Sequence, residues 1–458
     1  MLAITLNPGF VCIIAALIVL ATPHAARWIV MFFAAVIALV LLLDREFGAA
    51  SAVAQMGLPV VLLNLDALNR IFGIAALMAL IMLTIFSTAR RNRYEDAAIL
   101  MMAGGVVSAV FVGDLISFVA AAALAGLAAA WIVFCSPVEG ASRAGVRLLV
   151  WNGLEGLLLL VGVAFHLAGG AESAMFARLD LASIGGGCIF AALMIRIGAP
   201  LAHVWLKDTI AHASPLGGAA LSAFSTMVGV YALARFFPAE PLLIPIGAGM
   251  IVLGALYAAS VDDLRAGAGY GLMTQTGVCV ALIGVGSPLA VAAAEGHVFT
   301  SVFVFAALQM ALGAVLAKRG VVRLSQFEGL ARAMPVTTAL MLVTGLAASG
   351  APGLALYATQ AVALEATGQW DLRWLWALIG ASAAVLFVSL TLRPALAAHQ
   401  HGPKPPKFNE APFSMLLAAG VAAFFCVSIG LAPSWLYGLM PTALAFAPFA
   451  IDRVSPQL

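Results

Sequence analysis

Three ionisable residues lie deep within apolar runs, and chemistry would have to start there: Glu155 in WNGLEGLLLL, Arg196 in ALMIRIGAP and His297 in EGHVFTSVF. An arginine so placed faces a bundle interior or a water-filled cavity, because lipid does not accept it. Arginine keeps its proton in proteins, so Arg196 can be a fixed charge and not a proton relay. Glu155 can pair with Arg196, or it can sit near the cytoplasmic interface, satisfied by water or Trp151. His297 titrates in the physiological range when unperturbed and can carry a proton, or it can hydrogen-bond across helices. Glu295, two residues earlier, falls on another helix face as a lipid-interface or entry residue.

Directly after Arg196 the apolar pattern breaks. Gly198-Ala199-Pro200 leads into His203, Trp205, Lys207, Asp208 and His212, then into the small-residue turn Pro215-Leu216-Gly217-Gly218. His203 and Asp208 belong to a structural elbow that either admits protons or is simply solvated. Asp262-Asp263 reads as a solvated loop with Arg265, in preference to acid–base chemistry. Asp114 and Glu365 read as interfacial. Five cysteines (Cys12, Cys135, Cys188, Cys279, Cys426) stand singly, which supports neither cluster nor zinc ligation. His399 and His401 alone are weak grounds for metal. No nucleotide-binding loop or haem pattern occurs.

The elements that must position these residues follow from composition. With 64% hydrophobic and 9% charged residues and a mean hydropathy of +1.10, the chain is an integral membrane protein. A net charge of +2 with no long basic tract gives no reason to expect nucleic acid. Long apolar runs without alternation predict an all-α protein of about fourteen transmembrane helices. They cover 9–22, 27–43, 69–88, 96–112, 115–134, 146–168, 183–204, 215–236, 241–259, 267–286, 289–317, 334–366, 372–392 and 413–432. The stretch LPVVLLNLDALNRIFG reads as an interfacial approach segment. The first run lacks a basic leader and is expected to stay as a span.

Basic residues concentrate in loops after odd-numbered spans (Arg90, Arg91 and Arg93; Lys318, Arg319 and Arg323; Arg393, Lys404 and Lys407) and are sparse in the others. That asymmetry predicts both termini on the non-cytoplasmic side of the inner membrane. The twelfth run breaks at Gly350-Ala351-Pro352-Gly353, five spans after the break at Pro200. The two are either ordinary proline kinks or the broken helices of two inverted repeats. The resulting division is 1–95 for spans 1–3, 96–236 and 237–395 for the repeats (spans 4–8 and 9–13), and 396–458 for a cytoplasmic linker, the last span and a short tail.

The elbow also carries a signature. His203-x-Trp205-Leu206-x-Asp208, then Ser222-Ala223, Thr226, Val228-Gly229-Val230-Tyr231 and Arg235, resembles the antiporter-like membrane subunits of respiratory complex I and of Mrp-type cation/proton antiporters. Gly113-Asp114-Leu115, Leu330-Ala331-Arg332-Ala333-Met334-Pro335 and Gly350-Ala351-Pro352 match further blocks, so the resemblance covers roughly residues 60–430. Lys207 stands where that family has proline. The resemblance implies a fourteen-span fold that moves protons, or exchanges them for sodium ions, beside other membrane subunits in the lipid bilayer. It implies no cofactor of the chain's own; any redox chemistry belongs to partners.

Carried over position by position, the family's ionisable row is eroded. Its fifth-span glutamate falls on Ala123, its seventh-span lysine on Arg196 and its eighth-span lysine on Met227. Its eleventh-span series falls on His297, Ser301 and Phe305, and the residue after the twelfth-span break falls on Gln360. Two further readings therefore stand beside ion translocation: a non-conducting subunit that keeps the fold for assembly, and an independent small-solute transporter with Arg196 as an anion anchor. The short tail is similar to the smaller complex I subunits or the D-type antiporter subunit.

Overall fold

The computed structural model describes residues 6–55, 58–89, 92–169, 174–400 and 409–440, with 49–55, 58 and 59 as backbone. Arg90, Arg91, His401, Lys404 and Lys407 lie outside the described residues. The order is α1 (Pro8–Ala21), α2 (His24–Leu43), β1 (Gly48–Gln55), β2 (Leu58–Leu65), α3 (Ala67–Ser87), α4 (Arg93–Phe111), α5 (Leu115–Phe134) and α6 (Ala141–Ala168). The broken region follows as α7 (Ile184–Ile197), α8 (Val204–His212), α9 (Pro215–Phe224) and α10 (Met227–Phe236). Then come α11 (Leu243–Ser260), α12 (Leu264–Val285), α13 (Pro288–Arg319), α14 (Leu330–Ala333), α15 (Pro335–Ala348) and α16 (Ala355–Gln369). The chain closes with α17 (Arg373–Phe387), α18 (Arg393–His399), α19 (Phe413–Leu431) and α20 (Pro433–Gly438).

Among the described residues, eleven helical segments are long and apolar enough to cross a membrane, α9 with α10 and α17 with α18 each counting as one. Three shorter apolar helices, α1, α7 and α15, occupy the places expected of the first, seventh and twelfth spans. At 14 residues each they rise about 21 Å, short of the roughly 30 Å hydrocarbon core. For α7 and α15 the missing length lies beyond a break.

Burial locates the centre. The apolar windows of Pro215–Phe236, α12 and α13 are 100% buried, whereas that of α6 is 28% buried. Polar side chains within those windows of α12 and α13 therefore have only protein around them. Small residues let the helices approach: a Cβ added at Gly247 on α11 would stand 2.5 Å from Ala281 N and Gly277 O on α12.

Two parts of the sequence reading need correction. The approach segment opens as strand β2, which pairs antiparallel with β1 just ahead of it to form a hairpin. On β2 the side chains of Val61, Leu63 and Leu65 are buried in alternation, the period of a strand. The hairpin is tied to the α4–α5 turn, with Gly113 N–H donating to Val61 C=O at 2.8 Å and Val61 N–H donating to Asp114 Oδ2 at 2.8 Å. Asp114 is thus fully buried within the protein, capping α5 through Ser117 N–H. Arg27, at the start of the expected second span, is buried in α2 and paired with Asp96 of α4 at 2.9 Å.

Each break leaves helix carbonyls to satisfy. At the first, Gly198 (φ +69°) ends α7, and Trp205 Nε1 donates to Ile195 C=O at 2.9 Å. Leu201 also takes a left-handed φ of +76° in the turn around Pro200. At the second, Gly350 (φ +73°) and Gly353 (φ +78°) flank Pro352, and Gln275 Nε2 of α12 donates to Ala348 C=O at 3.1 Å. An indole and an amide thus do the same work at the two breaks.

Candidate functional site

Arg196 projects from the last turn of α7 and donates through Nε to Glu155 Oε1 of α6 at 2.6 Å. Its Nη2 donates to Ala122 C=O of α5 at 2.8 Å. The side chains are 6% and 2% exposed, so the pair is shielded from solvent and both charges depend on each other. Glu155 Oε2 is buried without a hydrogen-bond partner. Gly229 of α10 makes room for the arginine stem; a Cβ there would stand 2.8 Å from Arg196 Cγ.

A second group surrounds His297 of α13. Nε2 lies 3.0 Å from Gln275 Oε1 and Nδ1 lies 2.9 Å from Thr359 Oγ1 of α16. Gln360 Nε2 donates to Gln275 Oε1 at 3.3 Å, so Gln360, Gln275 and His297 share one oxygen. Gln360 rests on the second break: a Cβ at Gly350 would overlap its Oε1. Gly350→Ala is therefore expected to cost about 1–3 kcal/mol in left-handed strain and to push Gln360 off Gln275, read as a lower unfolding temperature of the purified protein.

Between the two groups, Ser222, Thr226, Thr276 and Ser301 line a buried cavity of about 20 Å³ together with Met227 and Cys279. That is room for about one water molecule, and the hydroxyls are its partners. Among the described residues Ser301 Oγ has no hydrogen-bond partner. Among the described residues no hydrogen bond joins the Arg196–Glu155 pair to the His297 group. Met227 is one of the apolar residues in the cavity wall, with Val230, Leu272 and Val298. On α13, steps of four carry the face from His297 through Ser301 to Phe305 and Gln309, and Gln309 Nε2 donates to Arg265 C=O at 3.0 Å.

Arg265 was unforeseen. It is 1% exposed, and its guanidinium donates to the carbonyls of Ala211 (3.0 Å), Ala213 (2.8 Å) and Ser214 (3.0 Å). A cation thus closes the negative end of α8. On the other side of the same turn, Glu95 of α4 accepts from the Ser214 hydroxyl, which caps α9 through Gly217 N–H. An anion therefore sits at the positive end of α9. The elbow is held by one charge at each of its two helix ends. Its outer face opens into a cavity of about 970 Å³ lined by His212, Asp263, Arg265, Lys318 and Arg323 among others.

The remaining expected residues lie elsewhere. His203 stacks on Tyr257 with ring centres 5.4 Å apart, and Asp208 pairs with half-exposed Arg147 at 2.9 Å; both belong to the elbow surface and not to the buried groups. Asp262 accepts from Ser325, which holds its carboxyl below the usual carboxylate range, and Asp263 caps α12. Glu295 is 4% exposed, not at a lipid interface, and lies within electrostatic reach of the Asp66–Arg235 ion pair.

A family model described as NADH:quinone oxidoreductase/Mrp antiporter, TM, matches residues 112–386, more than half of the chain. The chain belongs to this family. A component of a probable K(+)/H(+) antiporter of Rhizobium meliloti is 27% identical over 256 residues, 52% of this chain and 25% of the relative. The N subunit of NADH-quinone oxidoreductase from Desulforudis audaxviator is 28% identical over 306 residues, 61% of this chain and 60% of the relative. The chain thus spans between a quarter and three fifths of these relatives' lengths. A chain of respiratory complex I from Thermus thermophilus superposes with a TM-score of 0.82 at 21% identity, over 96% of this chain and 98% of that one. The fold is accordingly that of the family's membrane subunits, in a multi-pass membrane protein.

Proposed function

We propose that this family member is an ion-translocating membrane subunit of a complex I-like or Mrp-like assembly, in which Glu155 takes and releases a proton against the fixed charge of Arg196. The observation that carries this reading is the 2.6 Å contact between them. The acid expected on α5 is replaced by Ala123, yet an acid reaches the α7 cation from α6, while the backbone beside Ala123 holds the same guanidinium through Ala122 C=O. An acid–cation pair is kept though both of its members have changed. From there the hydroxyl-lined cavity and His297 with Gln360 supply further hydrogen-bonding steps, and the elbow around His203 and Asp208 supplies the cytoplasmic approach. The reading includes two inverted repeats, 96–236 and 237–395, with helix breaks at Pro200 and Pro352, an inner-membrane location and both termini outside the cytoplasm. Neighbouring membrane subunits are its partners, and protons, with or without sodium counter-flow, are its cargo.

Met227 and Phe305 favour a second reading, a subunit that braces the assembly without conducting, since each puts an apolar side chain where the resemblance places an ionisable one. The test uses the assembly purified with this chain and reconstituted in vesicles with a pH-sensitive dye inside. Glu155→Gln and His297→Ala are each expected to slow proton uptake about tenfold or more while subunit composition stays intact. Unchanged uptake, with Arg196→Ala releasing the chain from its partners, would establish the bracing role instead.

A further inference from the structure

His297 is held at both ring nitrogens by partners that differ in kind. The amide of Gln275 is oriented from two sides: its Nε2 donates to Ala348 C=O at 3.1 Å, and its Oε1 accepts from Gln360 Nε2 at 3.3 Å. Turned over, it would set carbonyl against carbonyl and amine against amine. The atom facing His297 Nε2 is therefore an acceptor, and Nε2 carries the ring hydrogen. In the neutral ring Nδ1 then accepts, and the donor it meets is the Thr359 hydroxyl. That hydroxyl has one hydrogen and three acceptors in reach, His297 Nδ1 at 2.9 Å, Leu356 C=O at 3.2 Å and Thr300 Oγ1 at 3.2 Å. The Thr300 hydroxyl donates to Gly296 C=O at 3.0 Å or His297 C=O at 3.1 Å and turns towards Thr359 to hand its hydrogen on.

We propose that Thr359 is a positioning residue that fixes the tautomer of His297 and gates proton uptake at Nδ1, a role that rests on His297 lying on the translocation path. At rest the Thr359 O–H points at Nδ1. During uptake Thr359 passes its hydrogen to Nδ1 and takes one from Thr300, which regains one from a hydronium or water chain. Each hydroxyl keeps one hydrogen, and the ring gains one proton and one positive charge. In the loaded state Nδ1–H donates to Thr359 Oγ1, whose own hydrogen has turned to Leu356 C=O. Only a hydroxyl rotates; no helix has to move.

Gly296 leaves space beside this relay. A Cβ there would meet Tyr437 Oη at 3.3 Å and Thr359 Cγ2 at 3.4 Å. Among the described residues the buried Tyr437 hydroxyl has no hydrogen-bond partner, a polar atom placed for a water that reaches the threonines. Among the described residues, no hydrogen bond or ion pair links the ring to Glu295, Tyr231, Arg235, Cys279 or Tyr437, and Arg265, Tyr270, Lys318 and Arg319 lie towards the other ends of α12 and α13.

The experiment is nitrogen NMR of histidine-labelled chain, kept in its assembly in lipid nanodiscs, alongside the vesicle assay. Wild type is expected to show neutral His297 with hydrogen on Nε2 and a hydrogen-bonded Nδ1. Thr359→Val, equal in shape, should turn Nδ1 into an unbonded imine nitrogen and slow proton uptake about tenfold or more; Thr359→Ser should restore both. Hydrogen on Nδ1 in the neutral wild-type ring, or a serine variant that restores neither signal nor uptake, would overturn the proposal. Normal uptake in Thr359→Val while His297→Ala is slow would overturn the gate. Normal uptake in both, with the expected spectra, would overturn the translocation path through His297 and uphold the tautomer assignment.

Discussion

Arg196→Ala is expected to destabilise the protein by about 3–5 kcal/mol, because it leaves the Glu155 carboxylate buried and unpaired in a site 2% exposed. The loss belongs to the orphaned charge and not to the missing contact. Adding Glu155→Gln to the same chain should therefore recover most of it, and Glu155→Leu with Arg196→Leu should come close to wild type. Thermal unfolding of the four proteins in one detergent measures the coupling. A double variant as unstable as Arg196→Ala alone would show that the arginine acts by filling space against Gly229. Arg196→Lys is not a gentle change here. A single ammonium on a shorter reach does not reproduce a fork that spans Glu155 on one side and Ala122 C=O on the other. Some stability should be lost even though the charge is kept.

Arg265→Leu is expected to be comparably severe. Three carbonyls at the α8–α9 turn lose a charged donor together, and hydrogen bonds to charged groups contribute about 1.5–3 kcal/mol each before neighbours relax. Since the turn would still have Glu95 holding Ser214, the damage should be local. Hydrogen exchange over residues 208–215 should rise strongly while α12 itself stays protected. Arg265→Lys should rescue only in part, because one ammonium cannot meet all three oxygens in a plane. Uniform loss of protection across α12 and α13 would instead mean that Arg265 supports the bundle and not the elbow.

Arg196, Glu155 and His297 were legible because a charged or titratable residue inside an apolar run stands out against every neighbour. The two breaks were legible because glycine and proline interrupt helices for reasons local to the backbone. Arg265 was not, and the cause is a boundary. The expected span began at residue 267, which left Arg265 in a loop beside two aspartates. Asp263 in fact caps the helix, α12 begins at Leu264, and Arg265 falls in its first turn facing inward. The same shift hid Glu95, just outside an expected span and inside α4. The hairpin was hidden for another reason: an apolar run as short as 58–65 fits a strand or a membrane approach equally well until its partner strand is known. Glu295 was misplaced because α13 is buried on every side, so no face of it is lipid-exposed for the sequence to distinguish.

The Arg196–Glu155 contact also has an electrical consequence. While both groups are ionised, the site is a dipole with no net charge, and the membrane voltage does almost no work on it. Once Glu155 is protonated, the whole positive charge of Arg196 is left uncompensated within the field. One elementary charge across 100 mV corresponds to about 2.3 kcal/mol, and a site partway through the membrane feels a share of that. Loading should therefore depend on voltage even where the proton concentrations on the two sides are equal.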